Sequence, residues 1–291
     1  MYLVFVGQLP QGPMSCIVGP FLAKSLYAFV NNCYNKQTLI KEIYVMALSA
    51  EEVKALIDSG MTAAQVISSE LNSEYSAIAR LGMFVYGSAI YGNKKPSDID
   101  VLVVLDTHKD VSAQHVIGDY NVTVVDYNLF VMNLRDHHVV TIECVYADPK
   151  THLMPISPRL EHVIKSFKEA PTPTFGFSLG LLRSSFSKTS SNSYVKAKKK
   201  LTVPESYDLE CSVKSMWHSI RILAFGATLA RTGKIDFQEA NELYSTILEV
   251  YMDAKAQWPE IHEIMSEVEN AYSSDFKKVA PKTPRDRKSV V

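Results

Sequence analysis

The chain has 291 residues, of which 47% are hydrophobic and 21% charged, and its formal net charge is -1. That length suits one large domain or two small ones with a real core. The near-zero charge excludes a molecule that binds nucleic acid or membrane through its bulk field, so any such pull must be local. Cys16, Cys33, Cys144 and Cys211 are widely spaced with no CxxC pair, which argues against a zinc site or a disulfide framework. No stretch is apolar for long enough to span a bilayer, and Pro10 and Pro13 interrupt the apolar N-terminal run, which has no positive leader. The expectation is a cytoplasmic protein with reduced thiols.

In chain order, residues 1–45 are apolar, Gly/Pro-punctuated and without period. At Met46 the texture changes: MALSAEEVKALIDSG reads as a fresh start, with Ser49 as N-cap and Glu51 and Glu52 in the first turn. Lys41-Glu42 can be encoded AAGGAG, a ribosome-binding sequence, which suggests translation from Met46, residues 1–45 as an upstream extension, and a bacterial or phage origin. Residues 62–80 place Val66, Leu71, Tyr75 and Ile78 at helical spacing, with Gly82 as the stop. MFVYG, IDVLVVL and NVTVVD read as three strands, and LFVMNLRDHH as a helix. VVTIECVY is ambiguous between strand and helix. From about residue 159 the pattern is helical: RLEHVIKSF, FSLGLLRSSF, a long run from Tyr207 to Thr232 closed by Gly233, then 237–254 and 259–272. The expected architecture is an α/β (α+β) fold, a mixed sheet flanked by helices (46–150) followed by a helical domain (151–274). Residues 275–291 read as a basic, disordered tail.

The chemistry concentrates in FVYGSAIYGNKKPSDIDVLVVLD, residues 84–106. A strand ends at Tyr86, and Gly87-Ser88 turns the chain with small residues, so backbone amides can approach a phosphate. Asp98 and Asp100 follow, one residue apart at the start of an apolar strand. Period two sets both carboxylates on one face and turns Ile99 to the other. Paired carboxylates repel unless a cation lies between them, and hard oxygen ligands suit Mg²⁺ carrying a nucleotide's phosphates. Asp126, at the end of VTVVD, is expected to complete the set as a third ligand or general base in a two-metal site.

Gly-Ser, a spacer, DxD on a strand and a later strand Asp resemble the catalytic signature of the DNA polymerase beta nucleotidyltransferase superfamily. The form GSAIYGNKKPSDID is most similar to the RNA-ligase-associated predicted nucleotidyltransferase family. The resemblance spans roughly residues 80–250. It implies that Gly87 and Ser88 hold a triphosphate and that Asp98, Asp100 and Asp126 bind two Mg²⁺ ions, with Mn²⁺ as a substitute. It also implies an Asp–helix–Glu stretch, matched by Asp126 and Glu143, and a helix bearing basic residues that ends in a TG turn, matched by Lys214, His218, Arg221, Thr232 and Gly233. Lys214, His218 and Arg221 fall at i, i+4 and i+7, one helical face suited to nucleotide phosphates. The expected reaction moves a nucleoside monophosphate from an NTP, such as ATP, to a hydroxyl acceptor on RNA or protein. The alternatives are a toxin/antitoxin-type enzyme acting on a protein or tRNA, and a silent RNA-binding relative that grips RNA through Lys196–Lys200 with Tyr194 available for stacking. His137-His138 is not a metal pair, because adjacent side chains point apart.

Overall fold

A computed structural model describes residues 63–72, 74–91, 99–117, 120–172, 174–239 and 241–281. The extension before Met46, the Ser49 cap, the Gly92–Pro96 loop, Asp98 and the basic end of the chain therefore lie outside the described residues.

Five strands form one mixed sheet: β1 (Arg80–Tyr86), β2 (Ile99–Leu105), β3 (Ser112–Ile117), β4 (Tyr120–Asp126) and β5 (His152–Met154), in the order β3-β4-β2-β1-β5. β2 runs parallel to β4 and antiparallel to β1; β3–β4 and β1–β5 are also antiparallel. Val101 to Leu105 are all buried, because both faces of the central strand β2 are covered. That is why VLVVL is a continuous apolar run rather than an alternating one. The short edge strand β3 alternates exposed and half-buried residues and was not foreseen from SAQHVI.

The two faces have different covers. Helix α1 (residues 63–72) packs Ile67 and Leu71, with Tyr75 beyond it, on Met83, Val101, Val103, Val122 and Val124. The phase differs from the expected stripe: Val66 is 45% exposed and Ile67 carries the contact. Gly82 lies inside β1 rather than at the helix end.

The opposite face, carrying Phe84, Leu102, Val104 and Val125, packs on helices. The helices that follow α2 (Ser88–Tyr91) are α3 (Tyr127–Arg135), α4 (Val139–Tyr146), α5 (Pro158–Glu169), α6 (Leu179–Thr202), α7 (Leu209–Thr232), α8 (Leu243–Asp253) and α9 (Trp258–Val279). The ambiguous VVTIECVY is α4, all but Val140 and Tyr146 buried. Side chains start several helices: Ser157, Ser178 and Asp208 each accept a backbone N–H of the first turn of α5, α6 and α7. Gly233, at φ 71, closes α7 as expected. α6 and α7 lie antiparallel and close, with Ser190 Oγ 3.2 Å from Ser219 Oγ and Ser212 Oγ donating to the Ala197 carbonyl at 2.7 Å. One hydrophobic core runs from Leu81 to Ala280, across the position near 150 where the sequence texture changes. α9 continues to Val279 and buries Phe276, so the helix extends into the stretch read as a tail from 275. Among the described residues no helix is long and apolar enough to cross a membrane.

Candidate active site

The site begins where β1 stops. Tyr86 is paired with Asp100 on β2, and the chain then turns at Gly87 with φ +71, a left-handed backbone that favours glycine. Ser88 starts α2 immediately, and Ile90 N–H closes the turn on the Gly87 carbonyl at 3.1 Å. This turn lies against Asp100: a Cβ at position 87 would come within 2.6 Å of Asp100 Oδ2. Glycine is needed twice, for its dihedral and for the space.

The even-numbered residues of β2 face the helical side. Leu102 and Val104 belong to that core, whereas Ile99, Val101 and Val103 pack toward α1. Asp100 therefore faces the helices, and Ile99 turns away as its spacing implied. In the parallel β2–β4 register Asp100 is level with Asn121. Tyr86, Asp100 and Asn121 thus form a row across three strands, and beside it Tyr86 Oη lies 3.4 Å from Thr123 Oγ1. Burial, with Asp100, Cys144 and Glu143 nearby, pushes the Tyr86 phenol up to about 12, so it stays a neutral donor.

A second carboxylate reaches this turn from α4. Glu143 is 2% exposed and accepts a hydrogen bond from the Gly87 N–H. Its Oε1 is buried with no hydrogen-bond partner. Burial pushes Glu143 up to about 7; the Arg221 guanidinium and the Gly87 N–H pull it down, and the Asp100 charge pushes it up. An acidic group with one oxygen unpartnered, facing a second carboxylate across a glycine, is costly in isolation.

Arg221 of α7 supplies the counter-charge. It is 3% exposed, its guanidinium lies 4.5 Å from the Trp217 ring centre and 5.5 Å from that of Phe225, and its Nη2 donates to His218 Nδ1 at 2.6 Å. Burial pushes His218 down to about 3, reinforced by the charges of Arg221 and of Lys196 on α6. Lys196 thus approaches the site, which the sequence did not indicate.

Several expected residues stand elsewhere. Asp126 does not meet Asp100. The register places it level with Leu105, five positions further along than Asn121. That is about 16 Å along the strands at ~3.3 Å per residue, and an odd offset puts it on the other face. Its oxygens are engaged: Oδ1 accepts Leu129 N–H at 3.0 Å, capping α3, and Oδ2 accepts Val111 N–H at 3.1 Å. Lys214 is exposed and paired with Glu210 at 2.8 Å, so of the three-residue face on α7 only His218 and Arg221 converge. Tyr194 is packed rather than offered for stacking; its Oη is 2.8 Å from His262 Nδ1, and its ring meets Trp258 edge-on. His137 is structural, its Nε2 accepting Ser178 N–H at 2.9 Å and its Nδ1 donating to the Arg135 carbonyl.

Among the described residues no group of three His, Cys, Asp or Glu side chains is set to hold a metal ion. Asp100 and Glu143 meet at Gly87, and Asp98, one residue from Ile99, lies outside the described residues.

No family model matches the chain. No curated protein matches it. Among solved structures the chain is similar to a nucleotidyltransferase-like protein from Exiguobacterium sibiricum 255-15, with a TM-score of 0.33 and 11% identity, covering 77% of this chain and 80% of that one.

Proposed function

We propose that this chain is a divalent-cation-dependent nucleotidyltransferase that moves a nucleoside monophosphate from an NTP to a hydroxyl acceptor. The observation that carries the reading is the meeting of Asp100 and Glu143 at Gly87. Two carboxylates converge there, one with a buried, unpartnered oxygen, beside a turn that admits no side chain. That donor set is hard and oxygen-rich, which fits Mg²⁺. Asp98 and Asp100 hold the cation, and Glu143 takes the third position that the sequence assigned to Asp126. When bound, Mg²⁺ withdraws charge from the phosphoryl oxygens and lowers the pKa of the attacking hydroxyl.

The chain's own residues then position and shield. Gly87 and Ser88 let the triphosphate approach the backbone. Arg221 balances the charge of Glu143. The acceptor oxygen bonds to the α-phosphorus, the bond to the bridging oxygen breaks, and pyrophosphate leaves with the hydroxyl proton passing to solvent. Catalysis of this kind is mostly positioning and electrostatics. A second reading, RNA binding without turnover, draws on exposed Lys196, Lys198 and Lys199 of α6.

The test is incubation with each of four α-labelled NTPs, Mg²⁺ or Mn²⁺, and total RNA plus protein, against an Asp98→Asn/Asp100→Asn double variant. Cation-dependent label in RNA or protein only with wild type supports transfer and identifies the acceptor class. RNA binding that is equal in both proteins, with no transfer, selects the second reading.

A further inference from the structure

The edge strand β3 is covered on one side only. Ala113, His115 and Ile117 stand opposite Val124, Val122 and Tyr120, on the side packed by α1, and are half-buried. Ser112, Gln114 and Val116 stand opposite Val125, Thr123 and Asn121, on the helical side, and are exposed. Val116, an apolar β-branched side chain, is 80% exposed. α3, the helix that follows β4, packs on β4 and β2, while these residues of β3 stay in solvent.

This bare face is continuous with the site. The strand registers set Val116, Asn121, Asp100 and Tyr86 side by side on neighbouring strands, at the end of the sheet where the chain turns at Gly87. Gln114, level with Thr123, lies next to that row. None of Ser112, Gln114, Val116, Asn121 and Thr123 carries a charge. Natural sheet edges are normally blunted by lysine, proline or a bulge, or else covered. β3 reads SAQHVI and pairs with β4 without a shift, so it has none of the blunting devices and is suited to being covered.

The spacing decides what fits. Asp100 lies two strands from β3, about 10 Å at the ordinary strand separation. One nucleoside bridges that span, with its ribose hydroxyl at Asp100 and its base over β3. A peptide added as a further strand along the β3 edge lies about 14 Å from β2, beyond the reach of a serine or tyrosine hydroxyl. An unstacked base at an RNA end needs a surface for its face and partners for its edge. Val116 offers the first, and the Gln114 carboxamide, which both donates and accepts, offers the second. A phosphate backbone calls for cations, which this face lacks, so it suits the terminal nucleoside alone.

We infer that the uncharged face formed by Gln114 and Val116 of β3 with Asn121 and Thr123 of β4 is the acceptor platform, and that it seats the terminal nucleoside of a single-stranded RNA. The inference rests on the nucleotidyltransferase reading for the position of the reacting phosphorus at Asp100. The terminal ribose oxygen bonds to the α-phosphorus, the bond to the bridging oxygen breaks, and pyrophosphate leaves while the hydroxyl proton passes to solvent.

The test uses the full chain and a short oligoribonucleotide whose last base is thiouridine, which crosslinks on irradiation. Mass spectrometry should find the RNA attached within β3 or the facing residues Asn121 to Thr123. In fluorescence anisotropy with the same RNA, Gln114→Glu and Val116→Glu should each weaken binding about tenfold or more, because each sets a negative charge beside the RNA. Both positions are exposed, so circular dichroism and Mn²⁺ affinity should match wild type. A crosslink confined to α6, or full RNA affinity in both variants, overturns the inference, as does label transfer into protein with none into RNA. Asp100→Asn separates the two claims. If it abolishes transfer while Val116→Glu binds and labels RNA as wild type does, the catalytic reading stands and the platform falls. If the crosslink maps to β3 while Asp100→Asn still transfers label, the assignment of Asp100 falls instead.

Discussion

Replacing Glu143 by Gln should change how stability depends on pH in the metal-free protein. The carboxyl is pushed from an ordinary value of 4.5 up to about 7, chiefly by burial. The folded state therefore holds this proton more tightly than the unfolded chain. Stability from this group is complete below about pH 4.5, declines as pH rises through the folded value, and is gone above about pH 7. A displacement of this size corresponds to about 3 kcal/mol, at 1.36 kcal/mol per unit. Glu143→Gln removes the titration but keeps an oxygen for the Gly87 N–H. It also removes the attraction to Arg221, which the wild type has only where Glu143 is ionised and which is already contained in the shift. The signature is thus the slope: the stability of Glu143→Gln relative to wild type should rise by about 3 kcal/mol between pH 4.5 and pH 8. Urea denaturation of both proteins at several pH values, in chelator, measures it. A difference that stays flat across the range would refute the reasoning, because Glu143 would then titrate normally.

Three further outcomes follow from the same geometry. Gly87→Ala should lose about 1 kcal/mol or more of stability from its left-handed backbone. It should also lose transfer activity, because its Cβ would press on Asp100 Oδ2; denaturation and a label-transfer assay check both. Asp126→Ala should cost about 1–2 kcal/mol by removing the α3 cap and the partner of Val111 N–H, while leaving kcat close to wild type. A loss of kcat without a loss of stability would return Asp126 to the site. Asp100→Asn should abolish transfer with the far-UV and near-UV circular dichroism unchanged.

The strands and the long helices were legible because their signals are local. β2 is apolar apart from Asp100, and α7 is bounded by Asp208 and Gly233, residues whose side chain or backbone ends a helix on its own. The Gly-Ser turn and DxD spacing were legible for the same reason. The third carboxylate was not. An Asp at the end of an apolar strand looks like a ligand, but whether it meets Asp100 depends on the β2–β4 register. That register comes with β3, a short edge strand whose half-exposed pattern carries little signal. One odd offset moved Asp126 to the opposite face and left Asn121 beside Asp100. Glu143 was matched only through the family resemblance and was given no role, for the converse reason. It lies in a stretch too short and too apolar to declare its period, and only α4 as a helix turns it to Gly87. The charge of Lys196 is felt at His218 because α6 packs on α7, an effect between residues far apart in sequence. The phase of α1 slipped by one residue, since Val66 and Ile67 are equally apolar and burial alone distinguishes them.

The claim that Asp100 and Glu143 together hold the catalytic cation is tested most directly by Mn²⁺ binding, followed by electron paramagnetic resonance in the presence of an NTP. Wild type and Asp126→Ala should bind Mn²⁺ alike, while Asp100→Asn and Glu143→Gln should each lose about tenfold or more in affinity, as expected when a charged ligand is removed. Wild-type Mn²⁺ affinity in Glu143→Gln, together with its loss in Asp126→Ala, would contradict the account.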